Sequence, residues 1–138
     1  MKKIALLSLG ILLLGCQSKK EEARQPIPKA PIENVTTPIT EKTIAHSVLY
    51  EANIRQYSDE GSFNAFSKDL PILKKMGVKI IWLMPINPIS TKKSKGPLGS
   101  YYAVSDYTKV NPEFGTLEDF QALVNKAHSL GMYVILDW

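Results

Sequence analysis

An amphipathic stretch of helix length, a glycine and an apolar run of strand length occur in that order twice in this chain. In "GSFNAFSKDLPILKKMG" the residues Phe63, Phe66, Leu70, Leu73 and Met76 fall three and four apart. That spacing predicts one apolar helical face, opened by Ser62 as N-cap and closed by Gly77. Pro71 inside it predicts a kink or a late helix start. "VKIIWLMPI" follows, a nearly continuous apolar run that suits a parallel strand covered on both faces. In "TLEDFQALVNKAHSLG" the same face is formed by Leu117, Phe120, Leu123, Val124, Ala127 and Leu130. Thr116 and Asp119 approximate a capping box with Asp in place of the usual Glu. Gly131 closes this second helix and "MYVILDW" is again a strand. Gly131 follows Gly77 by 54 positions, and Ile135 follows Ile81 by the same offset.

Upstream, "HSVLYEANIRQY" reads as one strand with aromatic and β-branched content. The sum is β-α-β-loop-α-β, a parallel α/β arrangement. Periodicity alone leaves a doubly wound sheet and a barrel both open. Either architecture places ligands beyond the carboxyl ends of its strands. Asp137 stands at such an end, and so does a loop of about 30 residues after Met84, a length that inside a compact α/β unit marks function. Tyr101, Tyr102, Tyr107 and Phe114 stud this loop, and Lys92, Lys93, Lys95, Gly96 and Gly99 form its tip. Aromatic faces at the mouth of an α/β fold suit the C–H faces of sugar rings. Tyr107 and Phe114 are expected instead to pack the loop down.

The first 45 residues have a different character. Lys2 and Lys3 precede an apolar stretch, Ile4 to Leu14, too short to span a membrane and typical of a signal peptide. "LLGC" then resembles the lipobox of bacterial lipoproteins. The resemblance implies cleavage after residue 15 and lipid on Cys16, with Gln17 favouring the outer membrane. Cys16 is the only cysteine of the 138 residues, so no intrachain disulfide forms. Residues 16–45 carry Pro26, Pro28, Pro31 and Pro38 with no apolar period, and are expected to be a disordered tether. Without residues 1–15 the chain has 15 basic and 13 acidic residues. That balance points to no nucleic-acid partner.

"YEANIRQYSDEGSFNAFSKDLPILKKMGVKIIWLMPINPI" and "YAVSDYTKVNPEFGTLEDFQALVNKAHSLGMYVILDW" resemble the α-amylase family, glycoside hydrolase family thirteen. The resemblance covers residues 46–138. It implies a partial (β/α)8 TIM barrel, with strands one to three and helices one and two in this chain. Tyr102 matches the family tyrosine that stacks on the sugar before the scissile bond. Asp106 matches an acidic position that shapes the loop. Asp137 matches the opening Asp of the family's first signature, which supports the catalytic centre without being the nucleophile. His46 and His128 match no family histidine, and Glu51 and Asp137 match no catalytic acid.

Such enzymes act through two carboxylates about 5–5.5 Å apart, a nucleophile and an acid–base, with retention at the anomeric centre. In the family these follow strands four and five, so no catalytic residue is expected in this chain. The resemblance therefore implies part of a lipid-anchored retaining glycosidase acting on α-glucan or malto-oligosaccharide, inactive as this segment alone. Alternatives are a transglycosylase or isomerase of the same family, or a glucan-binding lipoprotein without catalysis. No cofactor is expected in the segment itself, while calcium is a family option in the intact protein.

Overall fold

The computed structural model describes residues 38–138. The signal segment, Cys16 and most of the expected tether lie outside the described residues. The elements run α1 (Glu41–Ala45), β1 (Val48–Ala52), α2 (Ile54–Tyr57), α3 (Phe63–Lys75), β2 (Val78–Leu83), α4 (Leu117–Ser129) and β3 (Tyr133–Leu136).

The strands form one parallel sheet in the order β1-β2-β3. Tyr50 pairs with Ile81 and Ile81 with Val134, so the repeated sequence units lie side by side in register. β2 is the central strand and its Val78, Ile80, Ile81 and Leu83 are buried. β1 and β3 each have one neighbour among the described residues. Their Val48, Leu49, Ile135 and Leu136 stay 39–51% exposed. The outer backbone edge of such a strand, with its N–H and C=O groups, is what a further strand pairs with.

The core lies between the sheet and α3 and α4. Phe63, Phe66, Leu70 and Leu73 from α3 meet Leu123 and Ala127 from α4, with Ile81 from β2. Phe63 packs edge-on against Phe114 at 6.0 Å and tilted against Phe120 at 5.5 Å. Met76, past the last turn of α3, is exposed rather than part of the apolar face. Leu117 likewise lies at the open start of α4.

The caps follow the sequence. Ser62 Oγ accepts from Ala65 N at 3.1 Å. Thr116 and Asp119 form the reciprocal box, each side chain accepting from the other's backbone N–H. Gly77 and Gly131 turn the chain out of their helices with φ of 92° and 67°, where a side chain would be strained.

Pro71 neither breaks α3 nor delays its start, since the helix runs through it. A proline supplies no N–H to the carbonyl four residues back, which here is that of Ser67. Lys126 Nζ of α4 donates to that carbonyl at 2.6 Å. The lost helical bond is thus replaced by one that ties the two helices together.

Two local expectations are corrected. The stretch read as one strand ends at Ala52, whose carbonyl accepts Met84 N at 3.0 Å. Beyond it Ile54 is buried and Tyr57 packs edge-on against Phe66 at 4.6 Å, so spacing by three replaces alternation. Upstream, Glu41–Ala45 is one helical turn capped by Thr40 within the stretch assigned to the tether, and His46 is its C-cap instead of a strand residue.

Candidate functional site

All three strands point their carboxyl ends at one edge, and the long loop folds back over it. The ladder continues one step past the strands, since Asp137 N donates to Leu83 O at 2.8 Å. That bond places Asp137 directly beyond β3. The loop's stem is held by an antiparallel bridge between Ile89 and Val104. Ser90 N to Ala103 O at 2.7 Å and Ser105 N to Pro88 O at 2.9 Å complete it. Its return leg is anchored by buried Asn111, whose N–H donates to Ile86 O at 2.7 Å and whose Oδ1 accepts from Glu113 N at 3.0 Å. Asn87 Nδ2 donates to Lys109 O at 2.8 Å.

Folded in this way, the loop brings Tyr102 to Asp137. The phenol donates to Asp137 Oδ2 at 2.7 Å. The carboxylate that accepts this bond pushes the phenol's pKa above its ordinary value of 10, with a further contribution from the charge of Glu51 at the end of β1. Tyr102 remains 58% exposed, its ring offered to solvent above the sheet edge. Asp137 is half-buried.

Asp106 is not joined to this pair. It accepts from Thr108 N at 2.9 Å and Thr108 Oγ1 at 2.6 Å and pairs with Lys109 Nζ at 2.7 Å. The Lys109 bond, then those from Thr108, hold its carboxyl well below the usual range. These contacts close its own turn. Phe114 is buried in the core as a loop anchor. Tyr107 does not pack down as expected. It is 57% exposed, with its ring edge-on to Trp138 at 5.9 Å.

Sequence reasoning missed Arg55. From α2 it reaches Glu113 at 3.2 Å, and its guanidinium lies 4.7 Å from the centre of the Tyr101 ring. The available signal was a lone arginine just past a strand's carboxyl end, facing a loop rich in aromatics. Among the described residues no three His, Cys, Asp or Glu side chains gather as a metal site. None of the described helices is long and apolar enough to cross a membrane.

Chemically, the edge offers an exposed aromatic face, a phenol fixed by a carboxylate, and a second carboxylate nearby. An arrangement of that type can seat a flat apolar ring while hydrogen-bonding at its rim.

The sequence matches the family described as "Alpha amylase, catalytic domain" over residues 31–138, and the chain belongs to that family. It is 33% identical over 124 residues to "Alpha-amylase SusG" of Bacteroides thetaiotaomicron, covering 82% of this chain and 17% of that protein. It is 36% identical over 117 residues to an alpha-1,4-glucan:maltose-1-phosphate maltosyltransferase of Chlorobaculum tepidum, covering 72% and 18%. Among solved structures, an alpha-amylase from Lactobacillus plantarum matches with 49% identity and a TM-score of 0.66, covering 67% of this chain and 22% of that one. The chain thus spans about one sixth of the length of the curated relatives it matches. The three-stranded sheet and its helices are part of a (β/α)8 barrel, which resolves the choice that periodicity left open.

Proposed function

We propose that this chain forms the substrate-binding rim of an enzyme that cleaves α-glucosidic bonds in starch-like oligosaccharides with retention of configuration. The observation that carries the reading is the exposed Tyr102 ring held by Asp137 at the carboxyl edge of the sheet. In this reading Tyr102 is the platform for the sugar before the scissile bond, Asp137 supports the centre, and Asp106 sets the loop's turn. The nucleophile and acid–base belong to later strands of a longer protein. The position of β1 and β3 at the two edges of the described sheet supports further strands docking there, and the segment by itself is inactive. Cys16 carries the lipid that anchors the protein to the bacterial outer membrane, a reading supported by the "LLGC" sequence.

The maltosyltransferase among the relatives favours a second reading, in which the glycosyl intermediate passes to a sugar instead of water. Proton NMR of the full-length protein incubated with malto-oligosaccharides separates the two. New α-anomeric reducing ends growing in step with bond loss are expected for the hydrolase. Conserved reducing ends with redistributed chain lengths mean transfer. Products first formed as β-anomers contradict both.

A further inference from the structure

We propose that Arg55 is a positioning residue whose planar guanidinium clamps both legs of the long loop and so presents Tyr102 to Asp137. Arg55 sits in α2 just past the carboxyl end of β1, and its side chain is only 17% exposed. On the outgoing leg Nη1 donates to Leu98 O at 3.5 Å, and the guanidinium carbon lies 4.7 Å from the Tyr101 ring centre. On the returning leg Nη2 pairs with Glu113 at 3.2 Å, and the Phe114 ring centre is 6.0 Å away.

Four partners from two separated stretches therefore converge on one side chain. The ion pair alone does not explain this, because Glu113 is 64% exposed and such pairs contribute little. The combination of stacking and forked donation does, and it is specific to arginine among cations. Tyr101 is bonded directly to Tyr102, whose N–H is accepted by Ser100 Oγ at 3.3 Å. Fixing the Tyr101 ring against Arg55 therefore fixes the direction in which Tyr102 leaves the chain. The far end of that residue is then within reach of Asp137.

The consequence for catalysis rests on the function proposed above, so the test reads geometry instead of turnover. In the full-length protein labelled with 13Cζ-tyrosine, Asp137→Ala shifts the Tyr102 signal at neutral pH, because the phenol loses its acceptor. Tyr102→Phe assigns the signal. We expect the same Asp137→Ala change to leave the Tyr102 signal unmoved in an Arg55→Ala background, since the bond is already broken. Tyr57, half-buried against Phe66 and bonded to Asp69 at 3.0 Å, reports on the fold, and its signal stays in place. Should Arg55→Ala move Tyr57 as well, Arg55→Lys decides, as it keeps the charge toward Glu113 without the planar fork. Loss of the Tyr102 response in the lysine variant supports the clamp. An undiminished response to Asp137→Ala in a folded Arg55 variant overturns it.

Discussion

Tyr102 and Asp137, 35 residues apart in sequence, are joined by a 2.7 Å hydrogen bond from phenol to carboxylate. One is carried by the loop and the other by the end of β3, so each restrains the other. Ionising the phenol would set an anion against the carboxylate, which is why its pKa lies above the ordinary value. The Tyr102 phenolate is therefore predicted to form at lower pH in Asp137→Ala than in the parent. Tyrosinate absorbance, with Tyr102→Phe as reference, measures the difference. Coincident titrations would mean that the bond does not form in solution.

A second prediction concerns the bond that replaces the one Pro71 removes. Lys126→Met leaves the Ser67 carbonyl without its donor, at a cost of about 1–2 kcal/mol of stability. Pro71→Ala restores a helical N–H to that carbonyl. In its background the Lys126→Met cost should shrink, a coupling that chemical denaturation of the four proteins reads as non-additivity. Equal costs in both backgrounds would rule out the replacement.

Much of the frame was legible in the sequence because both helices obey a 3.6-residue period and both end on glycine. Phe63, Phe66, Leu70, Leu73, Leu123 and Ala127 are buried where their spacing placed them. Local signals also sufficed for the Ser62 and Thr116 caps. Met76 and Leu117 escaped the pattern because they lie at helix ends, where the period continues but the packing partner does not. β3 read as a buried strand, yet Ile135 and Leu136 are exposed since no strand pairs beyond them among the described residues. The break at Asn53 was hidden by apolar residues on both sides, whose change of period spans only four residues. Arg55 was invisible for another reason: its partners are 43 to 59 positions away and only the folded loop assembles them. The meeting of Tyr102 with Asp137 is of the same kind, two residues whose family positions could be matched but whose contact needed the fold.

Alkaline pH should weaken the fold through Tyr57. Burial, with the bond to Asp69, raises its pKa from 10.0 to about 12. The folded state thus favours the neutral phenol. Its contribution is full below about pH 10, and is lost as pH rises toward 12. Tyr57→Phe is predicted to flatten the loss of stability across that window, followed by denaturant midpoints at fixed pH. An unchanged slope would show that Tyr57 is not the group responsible.

Acid should weaken the fold as well, through Asp119. Its bonds with Thr116 and Asn64 lower its pKa below 3.8. The capping carboxylate therefore contributes above the unfolded value, and its contribution is lost as pH falls through the lowered folded one. Asp119→Asn should reduce the steepness of acid unfolding below pH 4, as followed by far-UV circular dichroism. A parallel acid limb in the variant would contradict that role for the box.

The most direct test is a kinetic comparison of full-length protein bearing Tyr102, Tyr102→Phe and Tyr102→Ala on a malto-oligosaccharide. If the ring is the sugar platform, Tyr102→Phe keeps most of kcat/KM, while Tyr102→Ala loses roughly two- to tenfold, on the scale of an aromatic contact of about 0.5–1.5 kcal/mol converted to rate. Equal kcat/KM for Tyr102→Ala and the parent would contradict a substrate-binding role for this edge of the sheet.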